Sequence, residues 1–152
     1  MNSIIIDDDA TARLIIKQLC NTSEQVSVIE EFSSAIDAIK YLNSNDIDLI
    51  FLDIHMPTFS GFDFIQTLKF PPKIILTTSD KNFALEAFEY ECVVDYLVKP
   101  ITKERFEKSL LKLSHLENVK ISVDETVSKK EANFILCASP PESVFEDCPI
   151  FK

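Results

Sequence analysis

The sequence predicts an α/β protein in which a five-stranded parallel sheet is covered by helices on both faces. Short apolar runs alternate with stretches whose apolar residues recur at helical spacing, and this alternation is typical of strand–helix–strand units. Hydrophobic residues make up 46% of the 152 residues, which is enough to bury a core and argues against a disordered chain. One ordinary domain with a short appendage fits this length.

Each predicted element follows from one of these stretches. Strands are expected at residues 3–6, 26–29, 47–52, 73–77 and 93–98. Helices are expected at residues 11–20, 35–42, 62–68, 82–91 and from 102 onward. Ser33 and Thr102 are predicted to cap the second and fifth helices, because a hydroxyl can accept the unpaired N–H groups of a first turn. Phe106, Leu110 and Leu113 form one apolar stripe on the last helix.

Polar groups follow the strands at the points where the strands end. In a parallel sheet with right-handed crossovers, functional groups collect beyond the carboxyl ends of the strands. The groups at these ends are Asp7, Asp8 and Asp9 after the first strand, Asp53 after the third, Thr77, Thr78 and Ser79 at the fourth, and Lys99 after the fifth. We expect them to meet at one edge of the sheet.

This combination of acids, hydroxyls and one amine indicates a site for a divalent cation and an oxyanion. Neighbouring carboxylates repel unless a positive charge neutralises them, and Mg²⁺ accepts ligands that are all oxygen. Lys99 and Thr78 could contact a phosphoryl group, and a carboxylate could attack it to form an acyl phosphate. Taken singly, each residue is ordinary turn or helix-start chemistry, so the prediction depends on their joint order along the chain.

Composition limits the other functions of this segment. A net charge of −10 disfavours direct binding to nucleic acid. The four cysteines have no metal-ligand spacing and are predicted to be reduced thiols. The first residues do not have the form of a signal peptide, and no apolar run approaches the roughly 20 residues of a membrane span. A soluble, cytoplasmic protein without membrane contact is expected.

The periodic pattern ends near residue 118. Residues 1–118 are predicted to form the domain, and residues 119–152 a linker or tail that could lead to an effector domain. Residues 134–138 could form one isolated strand.

Four stretches resemble the receiver family of response regulators, the CheY-like domains of two-component systems. They are I-I-I-D-D-D at residues 4–9, L-I-F-L-D-I-H-M-P at 49–57, I-L-T-T-S at 75–79 and D-Y-L-V-K-P at 95–100, with Gly61 at the family's loop glycine. The resemblance covers residues 1–117 and implies the flavodoxin-like strand order 2-1-3-4-5. The stretch from residue 84 onward looks most like receivers that precede LytTR-type DNA-binding domains.

The resemblance assigns the site residues by position. Asp53 matches the phosphoacceptor, and Lys99 matches the lysine that contacts phosphate. Asp8 matches the direct Mg²⁺ ligand, Asp7 matches the acid that holds metal-bound water, and the backbone carbonyl of His55 completes the protein's share of ligands. The implied phosphodonor is a sensor histidine kinase or a phosphotransfer protein.

The resemblance also implies a switch. Thr78 matches the hydroxyl that is drawn to phosphate, and Tyr96 matches the aromatic residue that moves inward as a result. The bond between Lys99 and Pro100 resembles one that is usually cis in the family. Helix 4, strand 5 and helix 5 would then present a changed surface to a partner or to a second copy in a homodimer. Such a protein controls an effector, here expected to be transcriptional, and catalyses only its own phosphorylation and dephosphorylation.

Two alternatives remain open from the residues. A phosphatase similar to the haloacid dehalogenases would use Asp7 as nucleophile and Asp9 as general acid, but it needs a further acidic pair after Lys99 and leaves Asp53 without a role. An interaction module with the same fold would never take up phosphate, although such modules usually lack the acidic residues that this chain keeps.

Overall fold

The computed structural model describes the backbone of residues 1–126 and the side chains of residues 1–118. Its sheet has five parallel strands in the order β2-β1-β3-β4-β5, which confirms the predicted fold class and strand order. The strands are β1 (Asn2–Ile6), β2 (Ser27–Phe32), β3 (Leu49–Asp53), β4 (Lys73–Thr78) and β5 (Val93–Val98). The helices are α1 (Ala10–Asn21), α2 (Ala35–Leu42), α3 (Gly61–Thr67), α4 (Ala84–Ala87) and α5 (Lys103–Thr126).

The two faces of the sheet are buried by different helices. Successive side chains of a strand point to opposite faces, so Leu52 and Leu76 pack with residues of α2, α3 and α4. Phe51 lies on the other face, where its ring stacks on Phe106 of α5 at 5.7 Å. Burial on both faces explains why the central strands are continuous apolar runs rather than alternating ones.

One of the two predicted N-caps is confirmed and the other is wrong by one residue. The Thr102 hydroxyl accepts the amide of Arg105 at 3.2 Å, so Thr102 caps α5 as predicted. In α2 the cap is Ser34 rather than Ser33, because Ser34 has the extended backbone of a cap and accepts the amide of Ile36. Adjacent serines are equivalent in sequence, and the backbone conformation decides between them.

The fourth helix is shorter than the predicted span of residues 82–91. The segment begins as a 3₁₀ turn at Lys81–Phe83, and α4 proper covers only Ala84–Ala87. Its end tightens again, since the amide of Tyr90 bonds to the carbonyl of Ala87 three residues back. The second strand was predicted at residues 26–29, but β2 extends to Phe32. Its additional residues include polar ones that face solvent, as the edge position of β2 allows.

The chain divides into two units, Met1–Lys112 and Leu113–Lys152, and all five strands lie in the first. Helix α5 continues to Thr126, so the stretch that the sequence assigns to a linker begins as helix. The predicted strand at residues 134–138 lies outside the described residues, and the domain boundary stays a prediction. No helix of the described chain is long and apolar enough to cross a membrane.

Candidate functional site

Three carboxylates meet at the carboxyl ends of β1 and β3. One oxygen from each of Asp7, Asp8 and Asp53 lies within 4.8 Å of the other two. Asp7 and Asp53 are buried, whereas Asp8 is exposed. Burial, followed by the charge of Asp7, raises the pKa of Asp53 from 3.8 to about 7. The raised pKa shows that ionising all three carboxylates is unfavourable without a nearby cation. Their oxygens are the ligands that Mg²⁺ prefers, so the cluster fits this ion.

Lys99 supplies the positive charge of the site. Its Nζ lies 2.7 Å from Oδ2 of Asp7 and 3.5 Å from Oδ1 of Asp53, and its side chain is 21% exposed. Burial lowers its pKa, but the hydrogen bond to Asp7 and the charge of Asp53 outweigh burial, so the pKa of Lys99 is raised and the side chain stays protonated. The peptide bond that follows, to Pro100, is cis.

The loop after β3 holds the Asp53 carboxylate. The amide of His55 donates to Oδ1 of Asp53 at 3.3 Å. Gly61 starts α3 against the strand end, where a Cβ would lie 2.7 Å from the carbonyl oxygen of Asp53. Between them Thr58 has a φ of 68°, a backbone conformation that β-branched residues rarely adopt. The predicted ligand role of the His55 carbonyl stays a prediction.

Thr78 and Tyr96 are linked through one residue. The Thr78 hydroxyl accepts the amide of Asp80 at 3.1 Å, and the Tyr96 hydroxyl donates to the carbonyl of Asp80. Both side chains are buried, and Tyr96 is only 7% exposed, so its ring lies inward in this structure. The two residues predicted to form the switch are therefore in contact with the same loop residue.

The geometry disfavours the phosphatase alternative. Asp7, its required nucleophile, is fully buried, and both of its carboxylate oxygens are engaged, by the amide of Asp9 at 2.9 Å and by Lys99. Asp9, its required general acid, caps α1 by accepting the amide of Thr11 at 2.9 Å. Asp53 in contrast has Oδ1 fixed and no hydrogen bond to Oδ2 within the described part of the chain.

The model of the response regulator receiver domain matches residues 4–111 of the chain. The chain belongs to this family. Among curated proteins, the sensory transduction protein LytR of Staphylococcus epidermidis is 33% identical over 88% of this chain and 54% of its own length. The transcriptional regulatory protein BtsR of Salmonella typhimurium is 35% identical over 72% of this chain and 46% of its own length. Relatives named LytR and LytT agree with the predicted likeness to LytTR-type regulators.

Solved structures show the same fold. The response regulatory domain of MrkE from Klebsiella pneumoniae has a TM-score of 0.70 and 35% identity, covering 76% of this chain and 97% of that one. The isolated receiver domain of RcsB from Salmonella enterica, solved with the phosphomimetic BeF₃⁻, has a TM-score of 0.67 and 26% identity, covering 76% and 88%. The receiver chain spans about half the length of the curated relatives that it matches.

Arg13 supports the receiver site, although the sequence did not single it out. Its guanidinium donates to the backbone carbonyl of Asp7 at 2.6 Å and to Oε1 of Glu31 at 3.3 Å. It thereby ties the end of β1 to α1 and to the edge strand β2. The available signal was its place in the first turns of a helix that starts beside the acidic cluster.

A second polar cluster of the receiver lies away from the acids. Asp95 of β5 is buried and accepts Arg105 at 2.6 and 2.8 Å, Ser109 at 2.5 Å and Lys112 at 3.1 Å. Arg105 also donates to the carbonyl of Tyr96 at 3.1 Å, so the cluster fixes the strand that carries the predicted switch residue. The signal was an acid inside an apolar strand, followed by polar residues at helical spacing.

Proposed function

We propose that Asp53 accepts a phosphoryl group from a partner histidine kinase, a phosphotransfer protein or a small phosphodonor. The observation that carries this proposal is the junction of Asp53, Asp7, Asp8 and Lys99 at one edge of the sheet. Asp8, Asp53 and the carbonyl of His55 are the proposed Mg²⁺ ligands, and Asp7 is proposed to complete the metal site by holding metal-bound water. Bound Mg²⁺ would neutralise the carboxylates and the charge on the phosphoryl oxygens.

The transfer uses the two oxygens of Asp53 differently. Oδ1 is held by the amide of His55 and by Lys99, which leaves Oδ2 to attack phosphorus. The new bond joins Oδ2 to phosphorus while the bond from phosphorus to the donor breaks, and the donor leaves with that electron pair. The Lys99 ammonium faces the phosphoryl oxygens and stabilises their negative charge. Asp7 and Asp53 keep this ammonium group protonated.

The resulting anion would act on the loop that links Thr78 to Tyr96. If the Thr78 hydroxyl turns to the phosphoryl group, it gives up the amide of Asp80, whose carbonyl holds Tyr96. This linkage is a local charge change that biases a nearby packed element. The same coupling is the proposed route to the surface of α4, β5 and α5.

That surface carries exposed apolar side chains suited to a partner or a second copy. Leu85, Phe88 and Val98 are all exposed, whereas Phe83 and Tyr90 pack against Phe62. We expect phosphorylation to change association through this surface. Sedimentation of unmodified wild type, phosphorylated wild type and phosphorylated Leu85→Glu would detect this change in association. Equal sedimentation coefficients for all three proteins would contradict a dimer through this surface.

The output is proposed to lie outside this chain. The curated relatives are about twice its span, and one of them is a transcriptional regulator by name. The net charge of −10 supports a receiver that controls DNA binding without contacting DNA itself. A mobility-shift assay with this chain alone should give no shift, and tight binding would contradict the proposal.

The decisive experiment is incubation with Mg²⁺ and acetyl phosphate, followed by mass spectrometry that locates the added phosphoryl group. Asp53→Asn should abolish labelling, because the amide is a poor nucleophile. Asp9→Asn is the matched control: asparagine still caps α1, so labelling should persist at the wild-type level.

The opposite pattern would refute the proposal. Loss of activity in Asp9→Asn together with a label at Asp7 would favour the phosphatase. Absence of labelling in the wild-type protein, with both acetyl phosphate and a phosphorylated kinase domain as donors, would favour the interaction module.

A further inference from the structure

Thr77 carries a buried hydroxyl that the proposed reaction does not use. The residue is 0% exposed, and its Oγ1 has no hydrogen-bond partner among the residues that the structure describes. An unpaired buried hydroxyl lowers the stability of the folded state, and valine would fill the same space without that cost. A hydroxyl at this position therefore calls for a partner that appears in another state of the site.

The sheet register places Thr77 beside the proposed nucleophile. Thr77 of β4 is the direct partner of Asp53 on β3, and its partner on the other side is Leu97 of β5. Neighbouring residues of parallel strands point to the same face, about 4.8 Å apart, so the Thr77 and Asp53 side chains share one face of the sheet. Thr78, the next residue, points to the opposite face, where Tyr96 lies.

Lys99 spans the strand that carries Thr77. It follows β5, yet its ammonium lies near Asp53 on β3 and near Asp7, which follows β1, and β4 lies between β3 and β5. In the described conformation this ammonium is closer to Asp7, at 2.7 Å, than to Asp53, at 3.5 Å. Among the residues whose side chains are described, Oδ1 of Asp53 is held by Lys99 at 3.5 Å and by the amide of His55 at 3.3 Å, both long contacts.

We propose that Thr77 is a positioning residue whose hydroxyl donates a hydrogen bond to Oδ1 of Asp53 when the phosphoryl group enters the site. The incoming phosphoryl oxygens attract Lys99 away from Oδ1, which becomes the carbonyl oxygen of the acyl phosphate, and the Thr77 hydroxyl would replace that one contact beside the proposed metal ligation of Asp53. A rotation about χ1 of Thr77 can supply it from the neighbouring strand. An interaction that is absent in the resting site and present during transfer lowers the barrier rather than merely tightening binding. This inference rests on Asp53 being the acceptor.

Two pairs of proteins that differ in the hydroxyl test the proposal. The first pair is wild type and Thr77→Val, which removes the hydroxyl at constant shape. The second pair is Thr77→Ser, which retains the hydroxyl without the methyl group, and Thr77→Ala, and it serves if the valine variant does not fold. The rate constant for phosphorylation by acetyl phosphate at saturating Mg²⁺ and the urea midpoint of unfolding are measured for each protein.

Between wild type and Thr77→Val, the phosphorylation rate and the urea midpoint should change in opposite directions. Thr77→Val should have a higher urea midpoint than wild type but should be phosphorylated about tenfold more slowly, as for loss of one hydrogen bond to a charged group. Thr77→Ser should stay within about threefold of the wild-type rate and exceed Thr77→Ala by about tenfold. A wild-type rate in Thr77→Val, or an equal loss in Thr77→Ser and Thr77→Ala, would overturn the role of Thr77. Because wild type serves as the reference, either result leaves the phosphoacceptor role of Asp53 standing, whereas an unlabelled wild type removes both.

Discussion

Replacing Gly61 with alanine should destabilise the receiver, although the substitution would ordinarily stabilise a helix. Gly61 is the first residue of α3 and does not have a positive φ, so alanine meets no backbone penalty there. Relief of chain entropy in the unfolded state would by itself favour alanine by about 0.5–1 kcal/mol. A measured loss of stability would therefore show a packing penalty larger than this gain.

The packing penalty follows from the approach of α3 to the end of β3. A Cβ at Gly61 would lie 2.7 Å from the carbonyl oxygen of Asp53 and 3.0 Å from Cα of Ile54, where ordinary contacts begin at 3.4 Å. Both obstacles are backbone atoms, one in the last residue of β3 and one in the residue that follows it, so neither can rotate away. Forcing extra carbon into such a contact typically costs about 1–3 kcal/mol, and we expect a net loss of about 1–2 kcal/mol.

Urea unfolding measures this loss directly. For a slope of about 1–3 kcal/mol per molar urea, the midpoint of Gly61→Ala should fall by roughly 1 M. Phosphorylation by acetyl phosphate should also slow, because relief of the clash displaces the backbone that carries Asp53. Lys108→Ala, an exposed change on α5, should stay within about 0.5 kcal/mol of wild type. A midpoint for Gly61→Ala equal to or above that of wild type would refute the close approach.

Two further predictions concern buried carboxylates. Asp95→Asn should cost about 2–4 kcal/mol at pH 7, a range that allows for the partial exposure of Arg105, because it leaves the donors of four residues, the Tyr96 amide, Arg105, Ser109 and Lys112, with a weaker partner. Burial opposes ionisation of Asp95, but hydrogen bonds from Arg105 and Ser109 lower its pKa, so this contribution is present above about pH 4 and lost below it; urea titrations of both proteins from pH 3 to pH 7 check this. The contribution of Asp53 to stability depends on pH in the opposite direction. Its pKa of about 7 in the folded state lies above the unfolded value, so ionisation destabilises the fold as the pH rises from 3.8. Asp53→Asn should accordingly be more stable than wild type by a few kcal/mol at pH 8, with the difference vanishing toward pH 4 and narrowing when Mg²⁺ is added. A difference independent of pH would contradict the pKa of Asp53 that burial and the charge of Asp7 raise.

The alternation of elements and the location of the site could be predicted because both are written in short stretches of the chain. A strand such as the one at residues 49–52 can be recognised from a few consecutive apolar residues. The convergence of strand ends in a parallel sheet then follows from chain topology. Strand ends alone predicted that Asp53 and Lys99 share one edge of the sheet, where Nζ of Lys99 lies 3.5 Å from Oδ1 of Asp53, and the family resemblance supplied their expected roles. The burial that raises the pKa of Asp53 was not predictable to that extent, since it depends on how closely the loop returns at Gly61.

Features decided by the tertiary structure are those that depend on atoms distant in the chain. Lys99 bonds to Asp7 across 92 positions, and Arg105 bonds to Asp95 across the space between a strand and a helix. Helical or strand propensity acts over only a few residues, so it cannot say which donor meets which acceptor. It also could not shorten α4 to Ala84–Ala87, because packing and hydrogen bonding fixed that end.

Thr77 illustrates the division most sharply. The sequence by itself determined that a pair of threonines ends the fourth strand, and that strand ends form the site. Only the register between β3 and β4 decided that the first threonine lies beside Asp53 while the second lies on the opposite face with Tyr96. Side chains in a strand alternate with a period of two, so a shift of one residue would exchange their roles, and that register is set by the packing of the whole sheet.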